Sequence, residues 1–404
     1  MLDQPTMTGT GEGARLLESL APIESDSLLE LIALANADPR DDKIDVGVGM
    51  FRDGIGRTPI PRAVKAAEKL LWERQETKSY LGGKGDVRFI ELLRPILLGG
   101  HAADERIVGV QTPGGCGALK LGFELIAAAN SKARVLIGTP TWPNHPPLVA
   151  GSGLEAVNYP YYERGQAAIR FDAMMDAVRA ARRGDAVLLH GCCHNPTGAD
   201  LDADQWAKVT SAIIERGLIP LVDIAYQGLG RGLDEDAAGL RGILEACDEV
   251  IVAQSCDKNF GVYRDRVGSL WIKTANKTAS DNALKHVLQL AREMWSMPPD
   301  HGAAVVRTVL DDAALEADWR VELDAMRARI VAVRGRLAAA DPRLAFIAGQ
   351  YGMFSMLPLS VEQVRGLRAS HGIYMADSGR FNIVGMADEA IDRFVAAIVG
   401  AMNG

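Results

Sequence analysis

The sequence predicts an α/β fold. We expect a large domain with a mainly parallel seven-stranded sheet covered by helices, and a smaller α+β domain from both chain ends. Between about residues 105 and 275, short apolar runs alternate with helix-length amphipathic segments, which is typical of a parallel sheet buried on both faces. The 404 residues are 48% apolar and 24% charged, a composition and length that suit a folded chain of more than one domain.

Seven apolar runs are the predicted strands of the sheet. Segments between them, such as GALKLGFELIAAAN and DADQWAKVTSAIIERG, have the length and periodicity of helices. This alternation of strand and helix makes most neighbouring strands parallel. The strands are expected at residues 106–111, 133–138, 154–159, 186–190, 218–225, 249–255 and 266–272.

The two chain ends have a different pattern. Residues 276–340 are predicted to be almost entirely helical, and short strands in AFIAG, MFSML and RFNIV then alternate with two helices. Near the start, SDSLLELIALANAD predicts a helix capped by Ser25 or Asp26. We therefore expect an N-terminal arm and part of the small domain in residues 1–50, the large domain in 51–320, and the rest of the small domain in 321–404.

Charge and cysteine content restrict partners and location. The net charge of −8 argues against nucleic acid or an anionic membrane, because both favour a basic surface. The chain start does not resemble a signal peptide, and the sequence holds no uncharged apolar stretch of about 18 residues that would span a membrane. An odd number of cysteines, two of them adjacent, predicts reduced thiols in the cytoplasm. They are Cys116, Cys192, Cys193, Cys247 and Cys256.

Ligands of open α/β sheets bind beyond the carboxyl ends of the strands. After the first strand, TPGGCGAL at 112–119 opens a helix with a glycine-rich turn, whose free N–H groups suit a phosphate. The spacing matches neither the P-loop nor the dinucleotide motif, so a tight strand-to-helix turn is the alternative interpretation.

A second strand exit carries HGCCHNPTG at 190–198. Its histidines and cysteines could bind a metal, but they are nearly consecutive, and a strand points successive side chains in opposite directions. We therefore predict no metal, and favour a turn with buried thiols in which Asn195 can face a ligand.

Two further strands end in an acid and a lysine. A buried Asp223 needs a cation or strong donors, which means either a structural salt bridge or a protonated ring nitrogen as partner. Burial of Lys258 would lower its pKa and suit it to Schiff-base chemistry, although a surface lysine is the alternative. A phosphate-binding turn, an acid for a ring nitrogen and a lysine near Arg266 together match the requirements of pyridoxal phosphate.

Seven strings resemble the class I (fold type I) aminotransferases of the aspartate and aromatic amino acid branch, which depend on pyridoxal phosphate. The strings are TPGGCGAL, PTWPNH, HGCCHNPTG, DIAYQG, KNFGVYRDRVG, MPPDHGA and SGRFN, in family order from about Asp45 to the carboxyl terminus. The resemblance implies a ping-pong transaminase that moves amino groups from L-amino acids to a 2-oxo acid such as 2-oxoglutarate. It also implies a homodimer with shared active sites.

The resemblance assigns roles to individual residues. Lys258 matches the lysine that links to the cofactor and moves the substrate proton, and Asp223 matches the carboxylate that keeps the pyridine nitrogen protonated. Tyr226 matches a donor to the cofactor phenolate, and His145 resembles the group behind Asp223. The other cofactor-binding positions are Gly115, Cys116, Trp142, Asn195, Ser255, Arg266 and, from the neighbouring subunit, Tyr80.

The implied substrate site has two arginines. Arg380 matches the bidentate anchor for the α-carboxylate. Arg292 matches the arginine that binds a distal carboxylate from across the subunit interface. Gly49, Trp142 and Asn195 complete the predicted substrate-binding set.

Two positions depart from the family pattern. Cys116 stands where a hydroxyl usually donates to the phosphate, and a thiol donates more weakly. Asp257 stands where a serine usually contacts that phosphate. Two unit charges about 4 Å apart repel by roughly 4 kcal/mol at an effective dielectric near 20. Asp257 is therefore expected to loosen the cofactor unless it turns away, is protonated, or pairs with Arg264 or Arg266.

Channel positions indicate the substrate class. Met50, Ser79 and Met297 differ from residues typical of aspartate-specific members, and Arg52 lies where those members carry lysine. The changes make the pocket more apolar and adaptable, so we favour dual specificity for aromatic (Phe, Tyr, Trp) and dicarboxylic (Asp, Glu) amino acids. The alternatives are a strict aspartate aminotransferase, β-elimination or decarboxylation on the same cofactor, and a non-catalytic module that binds the cofactor or amino acids.

Overall fold

The computed structural model describes residues 16–20 and 27–403. The predicted first helix is present, but its proposed caps, Ser25 and Asp26, lie outside the described residues. The α-helices are α1 (Ser27–Ala37), α2 (Arg62–Arg74), α3 (Val87–Leu98), α4 (Gly114–Ala129), α5 (His145–Ala150), α6 (Phe171–Ala180), α7 (Ala203–Arg216), α8 (Leu233–Ala246), α9 (Lys277–Met294), α10 (Asp300–Asp311), α11 (Ala313–Ala340), α12 (Val361–His371) and α13 (Ile391–Ala401). Short 3-10 helices span Leu16–Ser19, Gly99–Ala103, Pro342–Gly349 and Asp388–Ala390.

All seven predicted strands form one sheet, and each is bounded within about two residues of its expected position. The strands are β1 (Ile44–Asp45), β2 (Ile107–Pro113), β3 (Arg134–Thr139), β4 (Glu155–Pro160), β5 (Tyr162–Glu163), β6 (Ala168–Ile169), β7 (Ala186–His190), β8 (Ile219–Ile224), β9 (Val250–Ser255), β10 (Val267–Lys273), β11 (Phe354–Met356), β12 (Ile373–Tyr374) and β13 (Arg380–Asn382). The order of the large sheet is β2-β10-β9-β8-β7-β3-β4.

The sheet is mainly parallel, as predicted. Strands β4, β3, β7, β8 and β9 run in one direction, whereas β10 is antiparallel to both of its neighbours, β2 and β9. Every residue of β9 and β10 is buried, because helices cover both faces. This burial explains why these strands are continuous apolar runs in the sequence rather than alternating ones.

Local signals in the sequence determine where several helices begin and end. In α7, Asp202 accepts a hydrogen bond from the N–H of Gln205, whose side chain reaches back to the N–H of Asp202, so that a capping box begins the helix. Gly217 ends the helix with φ 62°, a left-handed conformation that glycine adopts without steric cost. The predicted helix DADQWAKVTSAIIERG is therefore confirmed.

Both chain ends contribute to the smaller α+β part. Ile44 of β1 pairs in parallel with Ile373 of β12, and β11 pairs antiparallel with β13. The boundary after residue 320 falls inside the continuous helix α11. The division of the chain into domains stays a prediction.

One predicted strand of the smaller part is wrong. AFIAG belongs to the 3-10 helix Pro342–Gly349, which begins where the Asp341 side chain accepts a hydrogen bond from the Arg343 N–H. Its buried residues, Leu344 and Ile347, are three positions apart, which is the period of a 3-10 helix and not of a strand. In the described part of the chain, no helix combines the length and the apolar character needed to cross a bilayer.

A buried arginine joins helix α11 to the loop that precedes β11. Arg334 is 3% exposed and donates hydrogen bonds to the carbonyl oxygens of Ile347, Tyr351, Gly352 and Phe354 at distances of 2.5 to 3.2 Å. Burial lowers its pKa to about 10, so the guanidinium stays charged at neutral pH. Backbone carbonyls supply the polar contacts that its burial requires.

We predict that Arg334→Leu lowers the free energy of unfolding by about 3 kcal/mol or more, because buried carbonyls lose their donor. Arg336→Leu is the matched control on the same helix. Arg336 pairs with Asp392 at the surface, so its loss should cost no more than about 0.5 kcal/mol. Urea denaturation of both variants measures the difference, and equal losses would contradict the prediction.

Candidate active site

One cavity lies at the carboxyl ends of the central parallel strands. Most of the predicted site residues line it, together with residues that the sequence did not assign. Its lining consists of Gly49, Gly115, Cys116, Leu119, Trp142, His190, Cys192, Asn195, Asp223, Ala225, Tyr226, Ser255, Lys258, Phe354 and Arg380.

The register of the sheet explains why these side chains meet. His190 at the end of β7 pairs with Asp223 on β8, and Asp223 pairs with Ala253 on β9. On the other side of β9, Ser255 pairs with Gly268 of β10. Residues that are far apart in the sequence are therefore neighbours at one edge of the sheet.

Asp223 is held as a buried carboxylate. It is 8% exposed, and its Oδ2 lies 3.1 Å from Nε2 of His145. Thr141 Oγ1 bridges the two histidines behind it, at 2.7 Å from Nδ1 of His145 and 3.1 Å from Nε2 of His190. Burial alone would raise the pKa of Asp223, but the His145 hydrogen bond and the nearby positive charges lower it below its ordinary value. The carboxylate can therefore remain ionised beside a protonated ring nitrogen.

The amine of Lys258 lies near Ser255 and the ring of Tyr226. Its Nζ donates to Ser255 Oγ at 3.4 Å and lies 5.5 Å from the centroid of the Tyr226 ring. Burial lowers the pKa of Lys258, and the charges of Asp257 and Asp223 oppose this only in part. A neutral amine is thus easier to form here than in water, which suits a nucleophile or a proton acceptor.

Tyr226 and Asn195 offer polar groups to the same cavity. Burial raises the pKa of Tyr226, so its hydroxyl remains a donor at neutral pH. The Oδ1 of Asn195 is buried and has no hydrogen-bond partner among the described residues. An unsatisfied buried polar atom costs about 1–3 kcal/mol, and this amide is therefore suited to a polar ligand in the cavity.

We use the name phosphate cup for Gly114, Gly115, Cys116, Ser255 and Arg266. A Cβ at Gly114 would lie 2.6 Å from Nη2 of Arg266, and one at Gly115 would lie 3.0 Å from the Cβ of Ser255. Gly114 also has φ 68°, which favours glycine, and a side chain at Gly115 would be a tight fit. The absence of side chains at both positions leaves the first N–H groups of α4 open to an anion. Burial raises the pKa of the Cys116 thiol, which stays neutral and accepts a hydrogen bond from Asn144 at 3.4 Å.

Asp257 pairs with Arg266, which is one of the three outcomes that the sequence left open. It is 1% exposed. Its Oδ2 contacts Nη1 of Arg266, and its Oδ1 accepts the Val267 N–H at 2.8 Å. The carboxylate therefore sits against the phosphate cup and is bound to the cation of that cup.

Arg380 is buried, and the sequence predicted only some of the residues that surround it. Its Nη2 donates to the carbonyl of Gly47 at 2.9 Å, and its guanidinium lies 4.9 Å from the centroid of the Phe354 ring. A Cβ at Gly49 would lie 2.6 Å from the tip of that ring. The sequence predicts only a strand in MFSML and gives Phe354 no role in the site. The available signal for a role in the site was an aromatic residue within this predicted strand.

Three predicted residues are not among those that line the cavity within one chain. Arg266 lies next to Gly114 and Asp257. Tyr80 is 92% exposed. Arg292 is exposed as well, and its Nη1 donates to Ser296 Oγ at 2.6 Å. The four channel positions Met50, Arg52, Ser79 and Met297 are also not among the described residues that line the cavity.

The turn at 190–198 forms a thiol cluster with a carboxylate. Potential ligand atoms of Cys192, Cys193 and Asp236 lie within 4.8 Å of one another. The Asp236 carboxylate accepts the N–H groups of Gly228, Gly230 and Arg231 at 2.8 to 2.9 Å. These backbone donors account for its burial as a structural group.

His190, the second of the two histidines behind Asp223, gives a prediction on pH. Burial lowers the pKa of His190 to about 3, from an ordinary value of 6.5. Below pH 6.5 the unfolded chain therefore binds a proton that the folded chain does not, and stability falls as the pH falls. Between pH 6.5 and pH 5 this contribution should lower the stability by about 1.6 kcal/mol. His190→Asn should reduce the decline by that amount, measured by urea denaturation without added cofactor, and an unchanged decline would refute it.

Comparison with known proteins places this geometry in a family. The model of the family "Aminotransferase class I and II" matches residues 41–398. The tyrosine aminotransferase of Rhizobium meliloti is 48% identical over 92% of this chain and 96% of its own length. The aspartate aminotransferase of Escherichia coli is 40% identical over 96% of this chain and 100% of its own length.

A solved structure agrees with the sequence relatives. The aromatic-amino-acid aminotransferase of Burkholderia pseudomallei, covalently bound to pyridoxal phosphate, superposes with a TM-score of 0.93 at 38% identity, over 96% of this chain and 100% of that one. The resemblance drawn from the seven strings is confirmed. The chain belongs to the class I and II aminotransferase family, and it is an enzyme of the transaminase type.

Proposed function

We propose that this aminotransferase uses pyridoxal phosphate to transfer amino groups from aromatic and dicarboxylic L-amino acids to a 2-oxo acid such as 2-oxoglutarate. The juxtaposition of Lys258, Asp223 and the phosphate cup in one cavity is the observation that carries the proposal. The unpartnered Oδ1 of Asn195 and the two glycines that a Cβ would fill are the features that fit a polar, phosphate-bearing group.

Bound pyridoxal phosphate supplies an aldehyde that takes up the amino group and a ring that withdraws electrons. Lys258 would hold the cofactor covalently, and Asp223 would hold a proton on its ring nitrogen. Tyr226 would donate to the oxygen substituent of the ring with Asn195, and Trp142 would lie against the ring face. The phosphate would be held by Gly115, Cys116, Ser255 and Arg266, with Tyr80 of a second copy.

The proton-transfer step belongs to Lys258. Burial lowers the pKa of Lys258 and so favours the neutral form of its Nζ. A neutral Nζ would be able to take the proton from the substrate α-carbon and give it back. Arg380 would fix the α-carboxylate as a bidentate donor, so that the α-proton faces Nζ.

Substrate range rests on the relatives and on the side chains near the channel. The relatives are named for tyrosine, aromatic and aspartate substrates, which fits a site that accepts both side-chain classes. Met50 and Met297 are flexible apolar groups, and Arg292 supplies a cation for a distal carboxylate. The second candidate is a strict aspartate aminotransferase, which the presence of Arg292 also fits.

We also propose a homodimer in the cytoplasm, with no nucleic acid or membrane as partner. Tyr80 and Trp72 are 92% and 84% exposed, and a second copy of this chain would cover such large aromatic surfaces. Arg292 and Tyr80 would then complete the partner's cavity. The five cysteines are free thiols, which agrees with a reducing compartment.

The first test is spectroscopic. Purified protein with pyridoxal phosphate should show the visible band of the lysine-bound cofactor. L-phenylalanine or L-aspartate should convert this band to that of the amine form, and 2-oxoglutarate should restore it. Lys258→Ala should lose turnover by at least about 10³-fold, whereas the exposed control Lys277→Ala should match the wild type. A protein that shows no spectral change with any amino acid would instead be a binding module.

Arg292 provides the specificity test. Arg292→Leu should lower kcat/KM for aspartate by about 100-fold or more, because a bidentate charged contact is lost. The value for phenylalanine should change by less than about threefold, because an uncharged ring makes no such contact. Equal losses for the two substrates would assign Arg292 to structure.

Mixed dimers test whether Arg292 acts across the interface. Refolding Lys258→Ala together with Arg292→Leu should give hybrids in which one site has both Lys258 and the partner's arginine. Aspartate turnover should then exceed that of either variant alone. Failure of the mixture to recover activity would contradict the shared site.

A further inference from the structure

Asp257 is the charged residue of the site that the catalytic scheme leaves unused. It follows β9 directly and precedes Lys258, and it is 1% exposed. Its N–H donates to Ser255 Oγ at 3.3 Å, the same oxygen that accepts from Nζ of Lys258 at 3.4 Å. Its side chain accepts the Val267 N–H and contacts Arg266. Asp257 thus contacts two members of the phosphate cup, Ser255 and Arg266.

The pairing divides the donors of Arg266. Nη1 faces Asp257 and also the carbonyl of Tyr263 at 3.2 Å. Nη2 lies next to Gly114, where an added Cβ would be 2.6 Å from it. The same added Cβ would lie 3.2 Å from Oδ2 of Asp257, so a phosphate at the glycine turn would approach both the cation and the anion. The cation of the cup is oriented, but its charge is already offset by a carboxylate.

The net charge of the cup follows from this arrangement. Arg266 is the cation of the cup, Lys258 is a second cation that contacts it through Ser255, and Asp257 is a buried acid paired with Arg266. A phosphate ester brings up to two further negative charges at neutral pH. Asp257 therefore reduces the attraction for the phosphate while it holds Arg266 in position. Asp257 is buried, whereas the side chain of Arg266 is 45% exposed, so water screens the two effects in part.

Building on the proposed function, we propose that Asp257 is a positioning residue and an internal counter-ion of Arg266, which makes this enzyme hold its cofactor phosphate more weakly than a neutral residue would. The effect is largest when the cofactor carries the amino group. Lys258 would then have no covalent link to the cofactor. Only the phosphate cup and the contacts to the ring would retain the cofactor.

Asp257→Asn separates charge from shape. The amide keeps an oxygen for the Val267 N–H and removes the negative charge. We expect the cofactor-free protein to bind inorganic phosphate and pyridoxal phosphate at least about tenfold more tightly than the wild type, measured by fluorescence titration at neutral pH. Asp257→Ser, which introduces the family residue, should tighten binding in the same direction and serves if the amide variant folds poorly.

The control removes the same charge from the same loop. Asp265 has no hydrogen bond or ion pair to Arg266 among the described residues, so Asp265→Asn should bind phosphate within about twofold of the wild type. A second measurement follows cofactor loss during gel filtration with L-aspartate. The wild type should lose cofactor faster than Asp257→Asn, while the two should retain it equally without amino acid.

Each outcome has one meaning. Equal or weaker phosphate binding by both Asp257 variants would overturn the proposal and would show that Asp257 strengthens the cup by orienting Arg266. Tighter binding by Asp265→Asn as well would assign the effect to overall charge and would also overturn it. Absence of the visible cofactor band in the wild type would refute the proposed function, whereas the titration with inorganic phosphate does not depend on that band.

Discussion

The direction of one strand determines the arrangement of the site. Because β10 runs antiparallel to both β9 and β2, its first residues lie at the edge where β9 and β2 end. Arg266 immediately precedes β10, Ser255 ends β9, and Gly114 follows β2. A parallel β10 would have carried Arg266 to the opposite edge of the sheet, and the phosphate cup would have lacked its cation.

Bringing charged groups to one buried edge is costly unless each has a partner. The structure meets this requirement in a different way for each group. Asp223 is held by His145, and Lys258 lies between two carboxylates in a setting that also favours its neutral form. Away from this edge, Arg334 donates to backbone carbonyls of the loop before β11. The cavity therefore combines an acid and an amine whose pKa values are both lowered.

The sequence predicted the layered fold because buried parallel strands leave continuous apolar runs. It also predicted most of the lining, since ligand-facing residues follow those runs directly. It did not predict the antiparallel direction of β10, because a fully buried strand has the same apolar pattern in either direction. The 3-10 helix at Pro342–Gly349 was missed because a short apolar run has no unambiguous period. Phe354 reaches the cavity only through tertiary packing against Gly49 and Arg380.

The pairing of Asp257 shows what decides between outcomes that a sequence leaves open. Arg266 has φ 56°, a left-handed conformation that costs a non-glycine residue about 1–3 kcal/mol. In this conformation the guanidinium lies over Gly114 and meets the carboxylate of Asp257. The strained backbone, the glycine without a side chain and the buried acid are therefore one unit. A change at any of the three positions alters the charge and the shape presented to a phosphate.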